Sequence, residues 1–197
     1  MPGSVPIRSL AAAVLLLVGA WAMPASAAEP LVDTAWVKAN LKAKDIVFLD
    51  VRGDGDYRGG HIPDAVHTDY GRDGWRVRRG QVVGLLPPVE DLEKLVGRLG
   101  IGNDNHVILV AGGYSAGEMG KTTRLYWTFK VLGHDAVSIL DGGMLAYVKN
   151  GGPKTTDNVR PTARTFKANW QSHLLATAGD VRASLRAGVL IDSRSPD

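Results

Sequence analysis

"VFLDVRGDG", Val47 to Gly55, is an unbroken apolar run that closes on an acid and, two residues later, an arginine. It is too short for a buried helix and shows no polar alternation, so it reads as a strand covered on both faces. "HVILVA", from His106, and "AVSILD", from Ala136, have the same character. Helical patterns lie between these runs. "DTAWVKANLKA" opens on Asp33 as an N-cap. "PVEDLEKLVGRLG" has Pro88 at a first helical position, puts Leu92, Leu95, Val96 and Leu99 on one face and stops at Gly100. "GKTTRLYWTFKVLG" closes on Gly133, and "GMLAYVKNG" is a short helix ending in glycine. Strand and helix alternating in this way predict an α/β fold, a parallel sheet with helices on both faces. Ligand sites in such sheets lie at the carboxyl ends of the strands.

The opening pattern occurs twice. Val47, Leu49, Asp50 and Arg52 fall on Val189, Ile191, Asp192 and Arg194 of "VLIDSRSPD". The lead-in repeats too, with Val37, Ala39 and Leu41 falling on Val181, Ala183 and Leu185 once two residues are dropped before the strand. A repeat of this kind predicts a second copy of the helix-strand unit. Between the copies, "GGPKTTDNVRPTARTFKANW" has no periodicity and carries Pro153 and Pro161. The expected organisation is therefore a domain over 31–153, a linker over 154–170, and the first helix-strand unit of a second domain over 171–197.

Composition narrows the function classes. The chain has 197 residues, 45% hydrophobic and 22% charged, with net charge +3. Its basic residues are scattered except in "GRDGWRVRRG", which reads as a solvated loop, so no nucleic-acid partner is expected. There is no cysteine, hence no disulfide, thiolate metal site or cysteine nucleophile. "LAAAVLLLVGAWA", Leu10 to Ala22, follows a single charge at Arg8 and precedes Pro24 and the small-x-small site Ala25-Ser26-Ala27. Residues 1–27 are expected to be a cleaved Sec-type signal peptide, leaving a periplasmic or secreted protein without stable membrane insertion.

Two motifs bear on a site. "SAGEMGKTT", Ser115 to Thr123, approaches the nucleotide loop G-x-x-x-x-G-K-S/T, but Ser115 stands where the first glycine is needed to wrap backbone amides around phosphate. As a loop opening a helix, it instead predicts a small-anion site at Gly120, Lys121, Thr122 and Arg124. The histidines lack metal-ligand spacing, so no metal and no cofactor are expected.

The second motif is spread over the chain. "FLDVRGDGDYRGGHIPDAVH", "HVILVAGG" and "TRLYWTFKVLGHDAVSILDGGMLAYVKNGGP" together resemble a rhodanese domain. The features that carry it are Asp50 and Arg52, Tyr57, Gly60-His61-Ile62-Pro63 and Ala65. Arg124, Trp127, Leu132-Gly133-His134 and Leu140-Asp141-Gly142-Gly143 complete it. With the repeat at Val189, the whole resembles the tandem thiosulfate or mercaptopyruvate sulfurtransferases.

That resemblance implies a rhodanese-like fold and a chemistry. A cysteine thiolate, held by amides at a helix N-terminus, takes a sulfane sulfur as a persulfide and passes it on. Here the corresponding position is Ala111, so this domain has no nucleophile, and the cysteine is expected in a second domain. The resemblance makes Arg194 a substrate-binding residue for a small sulfur-containing anion, its guanidinium suited to that charge. It makes Asp50, Arg52 and His61 structural. "GLLPP" matches a segment where mercaptopyruvate-type members carry a histidine. Gly84 stands there, which weakens the mercaptopyruvate reading and leaves thiosulfate or an unknown persulfide more open. The expected function is an exported sulfurtransferase of which these residues alone are inactive. The alternative is a non-catalytic rhodanese-like module that binds an anion or a protein partner.

Overall fold

The computed structural model describes residues 28–186 and 188–192. The apolar N-terminal segment and Arg194 lie outside them. In chain order the elements are β1 (Leu31–Val32), α1 (Thr34–Ala39), β2 (Ile46–Asp50), α2 (Asp54–Arg58), β3 (Val66–His67), β4 (Val77–Arg79), β5 (Val82–Leu85), α3 (Val89–Arg98), β6 (His106–Val110), α4 (Ala116–Val131), β7 (Val137–Leu140), α5 (Gly143–Lys149) and α6 (Ala178–Ser184).

Five strands form one parallel sheet in the order β1-β7-β6-β2-β3. The three apolar runs read as strands are its centre, and the two edge strands are only two residues long. Strand periodicity divides the core into two layers. Val107 and Leu109 of β6 face a cluster with Leu92, Leu95 and Val96 of α3 and Leu125 and Phe129 of α4. Ile108 and Val110 face the opposite cluster, with Val37 of α1 and Met144 and Tyr147 of α5. Each central strand thus carries apolar residues on both faces because each face meets a helix layer.

Two segments differ from the sequence expectation. The basic stretch around Arg76 to Arg79 is no plain loop: β4 and β5 pair antiparallel across Gly80, which takes φ +57°. Trp75 seats the base of this hairpin, 1% exposed and donating through Nε1 to Thr68 Oγ1 at 2.8 Å. The second difference is at Val189 to Ile191. α6 forms and Thr177 and Asp180 close a capping box at its start, but the following apolar residues make no strand, and Val189 and Ile191 stand 90% and 87% exposed. A strand needs a neighbour to take up its backbone groups, and none lies beside this run among the described residues.

Residues 154–171 have no helix or strand, yet they are not free. They form a strap across the domain. Thr155 exchanges two backbone hydrogen bonds with His61 at 3.0 Å. Arg164 N donates to Gly97 O, and Asn169 N and Gln171 N donate to Leu132 O and Val131 O. Phe166 enters the core at 2% exposure. Two glycines permit this approach: a β-carbon at Gly97 would collide with the Arg164 carbonyl, and one at Gly133, with φ +74°, would strike Asn169.

His134 packs between Phe129 and Phe166, with ring centroids 5.6 Å from each. Burial disfavours its charge and holds its pKa below the ordinary imidazole value, and His106 is lowered for the same reason. The unfolded chain therefore takes up protons first as pH falls. Stability should decline as pH drops through about 6.5 towards the folded-state pKa values. Urea midpoints measured between about pH 7.5 and 5.5 should fall, and His134→Leu should flatten part of that slope. Phe166→Ala should cost about 3–5 kcal/mol and render the strap protease-sensitive.

Candidate functional site

Asp50 ends β2 with a fully buried carboxylate. Arg52, two residues on, turns back to it. Nε donates to Oδ1 at 3.0 Å and Nη2 to Oδ2 at 2.7 Å, while the Arg52 amide donates to Oδ1 at 3.0 Å. Nη2 also reaches Gly60 O at 2.9 Å. The ion pair is thereby joined to the turn that carries His61. That ring is 1% exposed, its Nδ1 lies 2.8 Å from Tyr57 O, and it stacks on Tyr57 at 3.8 Å between centroids. His67 covers the other side of Tyr57 at 4.8 Å. Tyr57 donates through its hydroxyl to Ala65 O at 2.7 Å. Burial, and then the charge of Asp50, raise its pKa.

The neighbouring strand β6 runs into Ala111. This residue is 2% exposed, and its carbonyl accepts from Met144 N at 2.8 Å at the start of α5. The loop from Ala111 to Tyr114 then enters α4. Ser115 is the N-cap and accepts from Glu118 N at 3.3 Å, while Glu118 Oε2 accepts from Tyr114 N at 3.0 Å. The Ser-x-x-Glu spacing in "SAGE" is that of a helix start, although Glu118 accepts from Tyr114 N, one residue ahead of the N-cap, rather than from Ser115 N. A β-carbon on Gly112 would meet the Glu118 carboxylate. The carboxylate therefore fills the space over the loop, where an anion would need free amides.

The expected anion loop is not assembled. α4 starts at Ala116, four residues before Gly120, so Gly120, Lys121 and Thr122 lie inside the helix. Met119 N already donates to Ser115 O, and buried Thr122 donates through Oγ1 to Glu118 O. Arg124 faces away from the loop: Nη2 donates to Gly84 O at 2.9 Å and the guanidinium lies 4.7 Å from the Trp127 ring centroid. Arg124 thus ties the β4–β5 hairpin to α4. No cluster of histidine and acidic side chains able to hold a metal occurs among the described residues. No helix there is long and apolar enough to cross a membrane.

A parallel sheet of this order, covered by helices and with a strand-to-helix loop at the end of its central strand β6, defines an α/β protein whose candidate site lies at the carboxyl edge. The family model for the rhodanese-like domain matches residues 33–150, and the chain belongs to that family. It is 33% identical to the thiosulfate sulfurtransferase of Rattus norvegicus over 144 residues, 71% of this chain and 46% of that protein. A Mycobacterium leprae protein, whose name provisionally assigns it the same activity, is 34% identical over 171 residues, 86% of this chain and 59% of that one. The chain thus spans three fifths or less of these relatives. The solved 3-mercaptopyruvate sulfotransferase of Escherichia coli has a TM-score of 0.69 and 22% identity, covering 81% of this chain and 63% of that one. At that identity the likeness speaks for the fold.

Asp50→Ala should strand a buried guanidinium and cost about 3–5 kcal/mol in urea unfolding, and Arg52→Lys should recover little because it cannot form the fork. Ser115→Ala should cost about 1 kcal/mol, the usual worth of an N-cap.

Proposed function

We propose that the chain is the first part of an exported sulfurtransferase built from two rhodanese-like domains. In this reading residues 31–153 are a non-catalytic first domain, 154–170 the connection, and 171–197 the beginning of the second. The second domain supplies a cysteine that takes sulfane sulfur from thiosulfate or a related donor and passes the persulfide sulfur to a thiophilic acceptor. The observation that carries the reading is Ala111, a buried alanine in a family whose reaction needs a thiolate. Relatives with thiosulfate sulfur transfer in their names extend well beyond the matched length, which supports a further domain. The Asp-x-Arg repeat at Asp192 and Arg194 agrees, with Arg194 as the residue that receives the anionic donor. The apolar segment before Ala27 supports export to the periplasm or beyond.

Glu118 favours a second reading. With its own carboxylate over the loop, the domain is suited to serve as a rhodanese-like binding module rather than as a catalyst.

The 197-residue chain, assayed alone, should form no thiocyanate from thiosulfate and cyanide above the uncatalysed rate. Clear turnover would remove the cysteine mechanism. Reading the coding sequence past Asp197 separates the two functions: a cysteine following another apolar strand supports the enzyme, and its absence supports the module.

A further inference from the structure

β4 and β5 form a two-stranded ribbon of their own, apart from the main sheet. The ribbon is held at its base by buried Trp75 and by the hydrogen bond from Arg124 to Gly84 O. Its far end is bare: every residue from Arg78 to Val83 is exposed, with Val82 at 56% and Val83 at 59%. Residues 74–88 hold three arginines and no acid. The Arg76 guanidinium lies 5.1 Å from the Tyr70 ring centroid. The side chains of Arg78 and Arg79 have no ion-pair partner among the described residues. The acids nearest in sequence are engaged elsewhere. Asp69 pairs with Arg72, Asp73 accepts from Thr68 Oγ1, and Glu90 and Asp91 open α3, with Asp91 4.0 Å from Lys94. On α4, beyond the Arg124 tie, stand exposed Lys121 and one acid, Glu118, whose carboxylate holds the Tyr114 amide.

Arginines on a free strand edge guard it against pairing with another chain. Two adjacent exposed valines work against that role, so the combination needs another reason. We propose that the tip of this hairpin adsorbs to an anionic lipid surface, with Arg78 and Arg79 at the headgroup phosphates and Val82 and Val83 at the boundary of the acyl chains. A guanidinium fork matches phosphate, each basic side chain near an anionic bilayer adds attraction, and apolar side chains gain burial just below the headgroups. The size of the tip selects lipid over protein. A stable protein interface draws about 20–30 residues from each side. The six residues from Arg78 to Val83 fall short of that, whereas a bilayer takes up a small convex projection. With two valines, and no helix among the described residues able to cross a membrane, the contact is peripheral and reversible. The inference uses no residue of the loop after β6 and is independent of sulfur transfer.

The test is co-sedimentation with lipid vesicles of residues 28–197, which contain both buried core clusters. The apolar N-terminal segment is left off because it would bind lipid by itself. Vesicles of phosphatidylcholine with an equal share of phosphatidylglycerol should carry the protein down, and less of it as salt rises. Phosphatidylcholine alone should carry little. The double variant Arg78→Gln, Arg79→Gln should weaken binding about thirtyfold, the worth of two basic side chains at an anionic surface. Val82→Thr, Val83→Thr keeps the β-branched shape that suits a strand and should weaken binding about tenfold. All four side chains are exposed, so neither variant disturbs the core. The proposal is overturned if the anionic vesicles bind no better than phosphatidylcholine, or if the arginine variant binds them as the unaltered protein does. It also falls if the arginine variant loses binding while the valine variant keeps it in full, which would mark the ribbon as a general polyanion site for an acidic protein or nucleic acid.

Discussion

The carboxylate of Asp50 is the constraint on which the carboxyl edge of the sheet depends. A fully buried charge is costly unless it is paired and hydrogen-bonded, and this one has a guanidinium fork and a backbone amide. Because the same guanidinium holds Gly60 O, the chain leaving β2 must return to it through α2. The return places Tyr57 between His61 and His67 and sets the backbone of His61 against Thr155. One ion pair thereby positions a strand end, a short helix, a three-ring stack and the start of the strap.

Its neighbour, the loop after β6, carries a negative charge of its own. The side chain at Ala111 is a methyl group, and the Glu118 carboxylate accepts the Tyr114 amide at the mouth of α4. Electrostatics and sterics therefore both oppose an anion at this loop.

Much of the fold was legible in the sequence. Three apolar runs of strand length and the helices between them define a parallel sheet, because a strand covered on both faces carries apolar residues without a polar alternation. The edge strands were not legible, since two residues carry no period. The hairpin was hidden by its arginines, which stay in water while Trp75 and the Arg124–Gly84 hydrogen bond hold it to the domain. The site was harder. Asp50 and Arg52 stand out as a pattern, but the direction in which a guanidinium turns is a tertiary fact. The start of α4 is masked in the sequence because Gly120 and Lys121 look like a helix start, whereas the cap at Ser115 lies further back. The strap was unreadable for a related reason: its contacts are backbone bonds to helix ends, and these impose no side-chain rhythm.

The strap has a consequence for whatever follows it. A free segment of 18 residues would behave as a coil with an end-to-end distance of roughly 25 Å and no preferred direction. Tied down at Thr155, Arg164, Phe166 and Gln171, it delivers the chain instead to one place, beside Trp127, whose indole donates to Leu174 O. A body joined there explores a narrow cone rather than a sphere. Its local concentration at the β4–β5 hairpin and the outer side of α4 rises without any new contact, as in other tethered pairs.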